Sequence, residues 1–212
     1  MRIRDRLLNG PLGFGAAPLG NIFRNIPDQE VAATVDADWQ QGTRHPDTAP
    51  FHGASLSEIR LGKALAKHKR GEYLLSSKVG RLILDEVETG RRAFGRKDGI
   101  FEFRRRANRI VYDCSEHGAL RSIEDSLKRL GVDRLDFVWI RDLAQDLHCA
   151  IRDRPHGSVP SAEPAARPAQ GWCLGVNRIE PVELLLDLTE VNTDGPLLAG
   201  RYTPLAPLPI DQ

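Results

Sequence analysis

Asp47, Lys78, Arg141 with Asp142, and Asn177 fall where short segments of the chain are expected to end as strands. A charged or polar side chain ending each of four separate segments is more than solvent exposure alone calls for. The heptapeptide "DTAPFHG" (47–53) adds a sixth group. Its Pro/Gly turn presents His52, an imidazole of the kind most used for proton transfer near neutral pH. The residue types suit general acid–base work on a small polar molecule, provided the fold brings them together.

The segments that would do so alternate in type. "LGFGAAPLGN" (12–21) reads as a short buried strand breaking into a loop. Its Gly13-x-Gly15 lacks the third glycine and the immediate helix of a dinucleotide fingerprint, so a Rossmann phosphate loop is not expected. "PDQEVAATVDADWQQG" predicts a helix capped by Asp28, with Val31, Val35 and Trp39 inward and Gly42 as stop. A strand then reaches Asp47. "SLSEIRLGKALAKHK" predicts a second helix with Ser55 or Ser57 as cap and Ile59 and Leu65 inward. "EYLLSSKVGRL" (72–82) reads as a strand ending near Lys78.

Residues 83–113 break the rhythm and read as a long solvated loop. In it "GRRAFGRKDGIFEFRRRANR" carries eight basic and two acidic residues interleaved with Phe94, Phe101 and Phe103. "ALRSIEDSLKRLG" is the clearest helix, with Leu120, Ile123, Leu127 and Leu130 on one stripe, Glu124–Lys128 and Asp125–Arg129 as i,i+4 pairs, and Gly131 as stop. "RLDFVWIRDL" predicts a strand, Leu135 to Ile140, apolar enough to be buried on both faces. Prolines at 155, 160, 164 and 168 make the stretch 154–171 irregular. Order returns with the strand "WCLGVN" (172–177), a helix from about Pro181 to Leu188, and the strand "GPLLAGRY". Six strands alternating with helices predict a parallel α/β sheet, open or closed into a barrel, with chemistry at the carboxyl ends of the strands.

Bulk properties narrow the function classes. The chain has 212 residues, 41% hydrophobic and 28% charged, with 30 basic against 29 acidic side chains. That suits one domain with a sizeable core and gives no global pull toward nucleic acid or anionic lipid. No apolar run matches a signal peptide or a membrane span, and Cys114, Cys149 and Cys173 are odd in number and widely spaced. The expectation is a reduced, cytoplasmic protein without a disulfide framework. No metal site is expected either, because Cys114-Ser-Glu-His117 and His148-Cys149 lack paired ligand spacing. The basic 91–109 segment lacks an accompanying nucleic-acid module.

Taken together, "LGFGAAPLGN", "DTAPFHG" with "SEIRLGKAL", "LSSKVGRL", "SIEDSLKRLG", "DFVWIRDL", "GVN" and "LLAGRYT" resemble the aldo-keto reductase superfamily. The match is to its bacterial branch of aldose (threo-aldose and L-fucose type) and pyridoxal dehydrogenases. The resemblance implies a (β/α)8 TIM barrel binding NAD or NADP without a Rossmann fold. It also implies hydride transfer between that cofactor and a carbonyl or alcohol carbon of an aldose or pyridoxal-like substrate. The family's tyrosine, aspartate, lysine and histidine correspond by position to His52, Asp47, Lys78 and Arg141. Asn177 corresponds to a contact of the nicotinamide carboxamide; Asp142, Arg201 and Tyr202 lie near the same mouth.

Against the family pattern the chain predicts a partial barrel of about six strands, without the last two βα units or a regular fourth helix. Open edges of such a barrel predict self-association. At position 52 the family logic inverts. An ammonium stabilises a phenolate but disfavours an imidazolium, so Lys78 and Arg141 should keep His52 mostly neutral. A neutral imidazole is a better base than acid and fits alcohol oxidation, though it is shorter than phenol. The alternative is a catalytically silent relative that at most binds a partner or ligand.

Overall fold

The computed structural model describes residues 10, 12–87, 108–113, 115–141, 169–176, 183 and 196–199. Six short strands form one sheet: β1 (Phe14–Gly15), β2 (Pro46–Asp47), β3 (Ser76–Val79), β6 (Leu135–Arg141), β7 (Ala169–Val176) and β8 (Pro196–Leu198), neighbours in that order. Every neighbouring pair is parallel, and the sheet curls into a half-barrel. Three helices, α1 (Asp28–Gln40), α2 (Leu56–Leu65) and α3 (Glu116–Leu130), lie between successive strands. Parallel neighbours need such crossovers, and the helices then cover the sheet's outer face.

The core lies between those helices and the sheet. Val31 and Val35 of α1, Leu61 and Leu65 of α2, and Leu130 of α3 meet Leu75, Val79, Leu135 and Val138. Trp39, Ile123 and Leu127 pack against it half-buried. Helix α3 shows why its sequence reads so clearly. The Ser115 hydroxyl accepts from Gly118 N (3.0 Å), Lys128 and Arg129 sit in the last turn, and Gly131 ends it at φ +68°. Cap, dipole and stop agree.

Several expectations are corrected. Residues 83–113 are not one solvated loop: β4 (Arg81–Val87) and β5 (Asn108–Tyr112) form an antiparallel ribbon with a bulge between Leu84 and Val87. Ile83 faces Ile110 across it, and charged neighbours hid that apolar pair in the sequence. Asp28 is the first helical residue of α1 and bonds Arg60, with Pro27 before it. Ser55 occupies the N-cap position of α2 as expected, but in a left-handed conformation without a side-chain cap bond, and Ser57 turns to the Ala16 carbonyl. Arg129 pairs with Glu58 in place of Asp125, because a fully buried carboxylate needs a cation more than an exposed one does. The deepest stripe of α3 is Gly118, Ser122, Ser126 and Leu130, since small side chains allow close helix approach. Strand β3 ends at Val79, beside Lys78 as expected, but β7 begins at Ala169, inside the stretch expected to be irregular. The expected helix 181–188 lies outside the described residues except for Glu183.

Candidate active site

The polar centre grows out of β2 and β3. Side chains two residues apart on a strand share a face, so His45 lies with Asp47 and Ser76 with Lys78. Asp47 is in register with Ser76, which sets the four side chains together. Lys78 Nζ donates to Asp47 Oδ2 (2.5 Å) and to the Thr48 carbonyl (2.9 Å). The Ser76 hydroxyl donates to Asp47 Oδ1 (2.6 Å), with His45 Nε2 3.4 Å from its oxygen. Lys78 is buried and Asp47 half-buried, so the pair acts at an effective dielectric well below that of water. The His45 ring meets Phe137 edge-on. Burial pushes the His45 pKa below its ordinary value; Asp47 and Asp136 oppose that shift, and Lys78 adds to it.

The turn that follows β2 is strained. Gly53, Ala54 and Ser55 all have positive φ (65°, 50° and 79°), and only the first lacks a Cβ. Such runs persist only where surrounding contacts over-determine them. Several do. A Cβ on Gly53 would lie 2.1 Å from the Gly20 carbonyl oxygen, so the two loops touch backbone to backbone. Ser57 Oγ donates to the Ala16 carbonyl (2.6 Å) and lies 3.0 Å from Thr48 Oγ1. Ala54 and Phe51 pack on Ile83 and Ile110 of the antiparallel ribbon, and the Arg81 guanidinium stands 4.0 Å from the Phe51 ring centre. His52 itself is buried, its backbone N–H donating to the Ala49 carbonyl (3.2 Å).

Two buried ionic nodes hold the frame. Arg60 donates to the carbonyls of Leu19 and Ile26 and to the side chains of Asn21 and Asp28, fixing the β1–α1 loop. Glu58, fully buried, accepts from Ser77 Oγ (2.7 Å) and Arg129 Nε (2.6 Å). Ser77 neighbours Lys78 on the opposite face of β3, so this node ties the lysine's strand to α2 and α3.

Of the residues singled out in the sequence, the structure brings Asp47 and Lys78 into direct contact and puts His52 in the turn after β2. Arg141 is the last residue of β6, in register with Gly175 and two residues past Trp139, which is the register partner of Lys78. Asp142, Asn177, Arg201 and Tyr202 lie outside the described residues. His45, Ser76 and Thr48 were missed. The period of two along a strand, counted back from Asp47 and Lys78, would have found the first two. Among the described residues no cluster of His, Cys, Asp or Glu suits a metal ion, and no helix is long and apolar enough to cross a membrane.

The chain is similar to several known proteins. The chain is 36% identical over 194 residues to a D-threo-aldose 1-dehydrogenase from a Pseudomonas species, covering 91% of this chain and 57% of the relative. It is 32% identical over 210 residues to a pyridoxal 4-dehydrogenase from Microbacterium luteolum, covering 91% and 58%. The chain thus spans less than three fifths of either relative. A solved Pseudomonas aeruginosa protein assigned to the aldo-keto reductases superposes with a TM-score of 0.59 at 27% identity, covering 84% of this chain and 59% of that one. The aldo/keto reductase family model matches residues 11–180, and with a parallel half-barrel carrying Asp47 and Lys78 at its strand ends, the chain belongs to the aldo/keto reductase family.

Proposed function

We propose that this chain serves NAD(P)-dependent oxidoreduction, moving hydride between a nicotinamide and a carbonyl or alcohol carbon of an aldose or pyridoxal-like substrate. The observation that carries this reading is the buried Lys78 ammonium, fixed between Asp47 Oδ2 and the Thr48 carbonyl where β2 and β3 end. Family membership supplies the cofactor class, and the two dehydrogenase relatives supply the substrate class.

The nicotinamide, when bound, gives or takes the hydride. The residues of this chain handle the proton and the developing charge. Lys78 places a fixed positive charge where a reacting oxygen gains negative charge, and pre-set charge of this kind needs no rearrangement during the step. Asp47 orients that ammonium. His52, standing where the family has tyrosine, accepts the proton of an alcohol, which favours oxidation over reduction. Arg141 stands at the family's histidine position, and Asn177, Asp142, Arg201 and Tyr202 are assigned to the cofactor by their positions in the sequence. The described residues suit such a group in their donor set: a paired ammonium–carboxylate, with Trp139 in register beside the lysine.

A fluorescence titration with NADH and NADPH, followed by assays with aldoses and pyridoxal, tests the proposal. Micromolar binding with turnover supports it, whereas affinity no better than millimolar refutes it. A second reading, binding without turnover, is favoured by the imidazole at position 52. It predicts cofactor binding by the native chain and turnover only after His52→Tyr.

A further inference from the structure

Ser76 has one hydroxyl proton, and the 2.6 Å contact places it on Asp47 Oδ1. The longer contact of the same oxygen, 3.4 Å to His45 Nε2, must then be donated by the ring. A neutral His45 therefore carries its proton on Nε2. The sequence of donors runs one way, from His45 to Ser76 to Asp47, and meets Lys78 coming from the other side at Oδ2. Each oxygen of the carboxylate is thereby committed to a different donor, which leaves Asp47 one orientation. We propose that Ser76, its hydroxyl directed by His45, is the positioning residue that fixes Asp47 and through it the Lys78 ammonium. This deepens the proposed function and rests on it for its effect on turnover.

The surroundings of His45 support the assignment. Its ring meets Phe137 of β6 edge-on, with ring centroids 6.0 Å apart. The charged groups acting on it are Asp47, Lys78 of β3 and Asp136 of β6, and burial keeps it neutral against the two carboxylates. Among the described residues the Ser76 hydroxyl bonds to Asp47 and His45, so the route from it to Lys78 runs through Asp47.

Two variants remove one donor each: Ser76→Ala, and His45→Phe, which keeps a ring against Phe137. Ser76→Thr and His45→Gln restore a hydroxyl and an N–H donor in similar volumes. The primary measurement is the titration of the Lys78 amine by NMR in lysine-labelled protein, which needs no turnover. Without the Ser76 donor the carboxylate charge falls on Lys78 alone, and its midpoint should rise by about half a pH unit. Ser76→Thr should return it. In assays, each single variant should lower kcat about fivefold with KM unchanged, and the double variant should be no worse than either single one, as residues acting in series require. An unchanged or lowered Lys78 midpoint in Ser76→Ala, or kcat losses that multiply, would overturn the proposal. A shifted midpoint in a protein without turnover would leave the positioning intact and refute the oxidoreductase reading instead.

Discussion

Asp47 does two jobs with two oxygens, and that division explains what its loss should do. Lys78 is only 8% exposed, so its ammonium cannot recover full hydration if its carboxylate partner goes. A hydrogen bond to a charged group is worth about 1.5–3 kcal/mol. Asp47→Asn keeps the shape and one acceptor but removes the charge, and should destabilise the protein by about 2 kcal/mol in urea unfolding. The residue pattern was partly legible. Asp47 and Lys78 could be placed at strand ends because each is followed within three residues by a turn signal, Pro50 after Asp47 and Gly80 after Lys78. Thr48 was not legible as a site residue, since it acts through its backbone carbonyl; the period of two puts Ser76 on the face of Lys78, but its pairing with Asp47 depends on a register that no single strand reveals.

Helix α3 was the element read best, and the ribbon β4–β5 was read worst, for opposite reasons. A helix that is capped, stopped and striped by its own residues carries its evidence locally. An antiparallel ribbon with a bulge, separated by a long connection, depends on a pairing twenty or more positions away. The approach of α2 to α3 is also non-local. A Cβ on Gly62 would sit 2.3 Å from the Leu130 carbonyl oxygen and 2.7 Å from its carbonyl carbon. Alanine gains about 1 kcal/mol over glycine in a helix interior, but overpacking against rigid backbone costs about 1–3 kcal/mol. With the clash this deep the second effect should win. Gly62→Ala should lower the urea midpoint with little change in m-value; a rise would mean that α3 can move away cheaply.

At the scale of the whole molecule, two half-buried histidines contribute to how stability responds to pH. Burial is the leading cause of the lowered pKa of both His45 and His68. In the unfolded chain each titrates near 6.5, so on acidification the unfolded state takes up the proton first. Their contribution is therefore fully present above about pH 6.5 and declines as the pH falls toward the lower folded-state values. Urea midpoints measured from pH 7.5 down to 5 should fall on the acid side, and His45→Phe should flatten part of that slope. A midpoint rising on acidification would contradict the assigned direction.

The sequence by itself determined the parallel α/β order, the six strands that share one sheet, the family, and two charged residues at the ends of β2 and β3. Each of these follows from patterns within a dozen residues or from ordered motifs along the chain. Tertiary structure alone decided which oxygen of Asp47 meets which donor, why Glu58 takes Arg129 from a helix 71 positions away, and how Gly20 and Gly53 lock the His52 turn. Those choices depend on strand register and backbone separation, and neither is written in any local run of residues.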